Sequence, residues 1–134
     1  MLYRYLAPEG DFSGVELPFA DAGDIAPWAL DAARAMYALG VIGGAKDLSG
    51  KLCFYPNSGI TRQEAVTMLG RLTEKGYDIP ELCYADSAEI QSWAAEHVAL
   101  LTSLGVLEEF TDELFLPAQP LTRAEMASML LRLR

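Results

Sequence analysis

The sequence predicts an all-α fold of tandem helix-loop-helix repeats packed around a central helical bundle, on three observations. First, the chain matches itself 65 residues on: Phe19-Ala20-Asp21 with Tyr84-Ala85-Asp86, Ile25 with Ile90, Trp28-Ala29 with Trp93-Ala94, and Leu39-Gly40-Val41 with Leu104-Gly105-Val106. Second, Phe54-x-Pro56 matches Phe115-x-Pro117, and Thr61-Arg62-x-Glu64 matches Thr122-Arg123-x-Glu125, at a spacing of 61. The second repeat has therefore lost four residues from the loop between its helices, where deletions are tolerated. Third, apolar residues recur at helical spacing in both halves of each repeat. A two-helix unit cannot bury such stripes alone, so neighbouring repeats must pack together.

Met1-Leu2-Tyr3-Arg4-Tyr5-Leu6 resembles the helix ends Met68-Leu69-Gly70-Arg71-Leu72 and Met129-Leu130-Leu131-Arg132-Leu133. Residues 1–16 are therefore expected to be the end of a preceding repeat and a linker. One repeat then runs over 17–73, a linker over 74–81 and a second repeat over 82–134, so the chain reads as part of a longer array. The first helix of the first repeat should begin at Pro27, a favoured first-turn residue, and stop at Gly40, with Trp28, Ala32, Met36 and Leu39 on one face. Its counterpart should run from Ser92, as cap, to Leu104, ending at Gly105. The second helices should run from Thr61 to about Thr73 and from Thr122 to the C-terminus, with Ala65, Val66, Met68, Leu69 and Leu72 or Ala127, Met129, Leu130 and Leu133 as their apolar stripes.

Composition narrows the function. The formal charge is −9, which opposes binding to nucleic acid, since phosphate contacts need clustered Lys and Arg. No apolar run approaches the roughly 18 residues that span a bilayer, and no signal-peptide pattern is visible. Neither membrane insertion nor nucleic-acid binding is expected. Cys53 and Cys83 lack zinc-site spacing, and their counterparts Leu114 and Pro18 make both look like small buried hydrophobes. Asp47 and Asp112 lack the run of acids of a calcium loop. His97 corresponds in the alignment to an alanine, Ala32, of the other repeat, which excludes a shared histidine chemistry. No metal, cofactor or catalytic residue is expected, because no acidic pair stands out from the nineteen acids.

The repeated motifs carry chemistry of their own. Thr61 with Glu64 and Thr122 with Glu125 form capping boxes at helix starts. Arg62 and Arg123 stand in first turns, against the helix dipole. One reading is that they meet an anion there, beside free backbone N–H groups, by two parallel hydrogen bonds to a carboxylate. The other is a solvated arginine, or one tied to a carboxylate such as Asp21 or Asp86. Trp28 and Trp93 belong by default to the core, but an exposed edge would stack on sugar rings. Gly43-Gly44 is either a turn or a place where backbone amides approach a ligand.

In this order the motifs resemble the S-layer homology repeat. The resemblance covers nearly the whole chain and implies non-covalent anchoring of an exported protein to a secondary polysaccharide of the bacterial wall, often one carrying pyruvate ketals. It implies a pseudo-threefold body when three repeats are present, ligand grooves between lobes, and a location in the cell wall or S-layer. Arg62, Arg123, Trp28, Trp93, Gly43, Gly44, Asp21, Glu64 and Glu125 are the glycan-binding candidates, and no enzymatic activity is implied. With two complete repeats, a homo-oligomer is one way to complete the third. The second repeat has Glu108-Glu109 where the first keeps Gly43-Gly44. Loss of Arg62 is therefore expected to weaken binding more than loss of Arg123. The competing reading is a self-assembly module that has lost glycan binding.

Overall fold

A computed structural model describes residues 1–73, 76–108 and 113–133. Glu109 and Asp112, singled out above, lie outside them. The chain divides into two compact units, Met1–Ser58 and Gly59–Arg134. The division does not follow the sequence repeat, because the second helix of the first repeat belongs to the unit that holds the second repeat.

The first unit contains α1 (Leu2–Leu6), α2 (Pro27–Ala38) and an antiparallel pair, β1 (Ala45–Lys46) with β2 (Leu52–Cys53). Pro27 sits in the first turn of α2, as its fixed φ favours. The helix ends in a Schellman motif: Val41 N–H donates to Met36 O at 2.9 Å, and Gly40 N–H to Tyr37 O at 3.0 Å. Gly40 takes the left-handed φ of +73° that this ending requires, and Val41 drops into the core with no exposed surface. This is what Leu-Gly-Val encodes. Phe19 anchors the core, edge-on to Tyr37 at 5.7 Å and stacked on Phe54 at 5.4 Å.

The small hairpin departs from the all-α expectation. Its turn is held by Asp47, whose Oδ1 accepts from the Ser49 amide at 2.8 Å, the Ser49 hydroxyl at 2.7 Å and the Lys51 amide at 3.0 Å. The strands are too short to show an alternating pattern in sequence.

The second unit contains α3 (Arg62–Gly70), α4 (Ser92–Ser103) and α5 (Arg123–Arg132). Both capping boxes form: the side chains of Thr61 and Thr122 accept from the amides of Glu64 and Glu125, and each glutamate accepts back from its cap. Ser92 is the first residue of α4 and not its cap; the cap position is Gln91, whose N–H donates to Gln63 Oε1 at 3.1 Å. α4 ends as α2 does, with Val106 N–H on Leu101 O at 3.0 Å and Gly105 at φ +75°. α3 lies against α4, and the core around them includes Leu69, Val98, Leu101, Phe115 and Met129, all without exposed surface. Burying side chains of this size contributes about 1.5–3 kcal/mol each. No helix among the described residues is long and apolar enough to cross a membrane.

Cys53 is buried, as expected of a small hydrophobe, but Cys83 is exposed, and both are free thiols.

Candidate functional site

Each repeat builds the same loop lock. Asp21 accepts from the amides of Phe54 and Tyr55, both at 2.7 Å, and Asp86 from those of Phe115 and Leu116 at 2.9 and 2.8 Å. Two successive N–H groups converge on one carboxylate because Tyr55 and Leu116 share a left-handed φ of 57°, a conformation that costs a branched or bulky residue about 1–2 kcal/mol. Charge-assisted hydrogen bonds of about 1.5–3 kcal/mol offset that cost. The link between Phe/Tyr-Ala-Asp and Phe-x-Pro is thus physical: the first motif holds the second. Both oxygens of Asp21 are used in this way.

Arg62 and Arg123, equivalent in sequence, sit in different surroundings. Arg62 is 3% exposed; its Nη1 donates to Phe115 O at 2.7 Å and its Nη2 to Glu125 Oε1 at 2.9 Å. The free first-turn amides expected at α3 are absent, because the Arg62 N–H donates to Gln119 O and the Gln63 N–H to Pro117 O. The Phe-x-Pro loop of the second repeat thus closes over the start of α3. Arg123 is exposed. Glu64 caps α3, while Glu125 caps α5 and also receives Arg62.

The tryptophans are not core. Trp28 is 88% exposed and Trp93 49%. An apolar ring held on a rigid helix start, with little burial to explain it, is suited to stacking on another flat apolar face. Gly43 has open space where a side chain would stand. Gly44 does not: at φ +71°, a Cβ there would lie 2.6 Å from the Phe19 ring and 2.7 Å from Cys53 O. Gly44 therefore serves packing, whatever else it does.

Both loop locks, both capping boxes and both Schellman endings recur at matching positions, so the repeated motifs are one repeated structure. The chain belongs to the S-layer homology domain family. The family's profile matches residues 18–66 and 84–127, well over half of the chain. Among curated proteins it is similar to an amylopullulanase of Thermoanaerobacterium thermosulfurigenes, 32% identical across 90% of the chain, and to the exoglucanase XynX of Acetivibrio thermocellus, 31% identical across 92%. It also resembles cell surface glycoprotein 1 of Acetivibrio thermocellus, 35% identical across 58% of the chain. The chain spans only 6%, 11% and 4% of the lengths of these three relatives. No solved structure matches it. S-layer homology domains are anchoring modules and not catalytic ones, and the two enzymes are matched over a small part of their lengths.

Sequence reasoning missed Gln63, and it named Asp86 only as a partner for an arginine and not as a loop lock. Gln63 is buried and caps α4 from another helix, but its counterpart is Ala124, so repetition gave no signal. Asp86 is the more buried of the two locking aspartates, and its pairing with Asp21 in the self-alignment was the available clue.

Titration follows from these contacts. The amide of Phe54, together with that of Tyr55 and against partial burial, holds the Asp21 carboxyl below its ordinary value. For Glu125 burial pushes upward, but the Thr122 amide and the Arg62 guanidinium outweigh it, and the net shift is down from the ordinary 4.5. Burial, aided by Arg71 and opposed by Glu96, lowers His97 from its ordinary 6.5. Each group takes up protons less readily folded than unfolded, so each weakens the fold as pH falls through its window. Two acid stages are expected in melting temperature: one starting near pH 6.5 from His97 and one below about pH 4.5 from the carboxylates. A melting series against pH on the His97→Gln variant checks this, since only the first stage should disappear.

Proposed function

We propose that this chain anchors a larger exported protein to the bacterial surface by binding a wall polysaccharide non-covalently. Family membership supports the surface location, and the observation that carries the binding reading is the pair of exposed tryptophans at matching helix starts. Trp28 and Trp93 are assigned as stacking platforms for sugar rings, with the open backbone at Gly43 admitting a close approach. Arg123 is the exposed repeated cation that an acidic substituent, such as a pyruvate ketal, would meet. Arg62, Asp21, Gly44, Glu64 and Glu125 act as the frame that holds these groups in place. Because Arg62 is buried, its loss should lower binding only in proportion to the loss of folded protein, in contrast to the larger ligand effect expected from the loop glycines alone.

The chain should pellet with purified walls and stay in solution with walls stripped of their secondary polymer. Equal pelleting on both would refute the reading.

A further inference from the structure

We infer that Tyr55 gives the first repeat a sugar subsite of its own, an aromatic platform for an uncharged saccharide ring beside the open backbone of Gly43; this subsite rests on the reading of the chain as a polysaccharide binder. Tyr55 and Leu116 hold the same place, between the aromatic and the proline of Phe-x-Pro, and both take a φ of 57°. The loop locks explain that conformation but not the size of the side chain, since glycine or asparagine would adopt it with less strain. Both side chains also stand out of the fold, Tyr55 at 43% and Leu116 at 41% exposed. The exposure belongs to the position. The loop of Leu116 closes over the start of α3, through Pro117 O and Gln119 O, and still leaves the leucine open. A bulky residue kept strained and exposed has its use outside the core.

At Tyr55 the ring is held from its far end as well. Its phenol hydrogen-bonds with the side chain of Cys53, a buried thiol that lies 3.9 Å from Asp47 Oδ2. Fixed at the backbone and at the hydroxyl, the ring loses little freedom on meeting a ligand. Gly44 packs against Cys53 O, so Gly43, with open space where a side chain would stand, lies at the same end of the hairpin. A flat ring beside uncrowded backbone suits a saccharide, with its apolar face on the phenol and its hydroxyls at the backbone. Charge narrows the class. The carboxylates of Asp21 and Asp47 both lie close enough to act on the phenol, against Lys51 as the cation beside Cys53. An acidic substituent would be repelled there and is left to Arg123.

The second repeat changes both features together. Leu116 stands in place of the phenol and offers no flat face. Glu108, whose carboxylate lies 3.5 Å from Arg132, sets a charged side chain where Gly43 leaves the backbone open. The ring and the opening are thus kept as a pair or lost as a pair, and the two repeats read different parts of the polymer.

The test titrates the chain with polysaccharide released from purified walls, at low and at high salt. Tyr55→Asn, which suits the left-handed position, should weaken binding about tenfold, the scale of one aromatic stacking contact. The factor should be the same at both salt concentrations, because screening acts on charged contacts. Leu116→Asn, made at an equally strained and exposed position, should leave affinity unchanged, and Tyr55→Phe, which keeps the ring, should lose less than Tyr55→Asn. On the unaltered chain the polysaccharide should shield Tyr55 from nitration but not Tyr77, 51% exposed, as read by peptide mass spectrometry. That measurement needs no variant to fold. The subsite is overturned if Tyr55→Asn binds undiminished, or if Tyr55 is nitrated as readily with the polysaccharide as without it. A loss that shrinks at high salt overturns the uncharged ring. If the unaltered chain does not bind, the anchoring reading falls and the subsite with it; binding to which Tyr55 contributes nothing removes the subsite alone.

Discussion

Arg62→Ala is expected to destabilise the Gly59–Arg134 unit by about 3–5 kcal/mol, the usual cost of removing one partner of a buried ion pair. The loss has two parts. Glu125, 17% exposed at its side chain, is left beside a void with its charge uncompensated, and Phe115 O loses its 2.7 Å donor. The Phe-x-Pro loop then has less to hold it over α3. For a unit of this size the melting temperature should fall by roughly 15 °C or more. Arg62→Lys keeps the charge but cannot serve both acceptors with one planar fork, and should fall between. Arg123→Ala, on an exposed position, should stay within about 0.5 kcal/mol. Thermal melts followed at 222 nm check all three, and equal effects of the two alanine variants would contradict the asymmetry.

Gly70→Ala is the second large effect, and its sign runs against helix propensity. In an exposed helix this change gains about 1 kcal/mol. Here the new methyl would stand 2.7 Å from His97 Cβ, an atom fixed to the α4 backbone, so the helices themselves must part. Overpacking of this kind costs about 1–3 kcal/mol, and a contact with backbone-fixed atoms belongs at the upper end. A net loss of about 2 kcal/mol is expected, or roughly 10 °C in the unit's transition. The decisive measurement is the double variant: Gly70→Ala on a His97→Ala background should cost almost nothing, a non-additivity that only direct contact produces. Equal costs on both backgrounds would remove the contact from the account.

Much of the fold was legible because its local devices have sequence signatures. Thr-x-x-Glu is readable as a capping box since both partners lie within one turn, and Leu-Gly-Val as a helix end since only glycine takes the left-handed position readily. The helix starts at Pro27 and Thr122 follow from the same logic. What was not legible depends on partners distant in sequence. Asp21 looked like a ligand group until its partners, 33 and 34 residues on, came into place. Arg62 and Arg123 are indistinguishable as letters; Arg62 is buried because Phe115 O and Glu125, 53 and 63 residues on, close over it. The hairpin at Ala45–Cys53 escaped because two-residue strands carry no periodicity. Trp28 was assigned by default to the core, yet its helix buries Ala33, Ala35 and Met36 and turns the tryptophan outward.

In the proposed function a repeated frame presents exposed aromatic rings to a wall sugar. Its most direct test is calorimetric titration of the chain with purified, released wall polysaccharide, alongside Trp28→Ala, Trp93→Ala and the double variant. The single variants should each weaken binding about 10-fold, on the scale of one lost aromatic stacking contact of about 1–1.5 kcal/mol. The double variant should show no measurable heat, while melting temperature hardly moves for Trp28→Ala, whose ring is 88% exposed. Undiminished binding by the double variant would contradict the account.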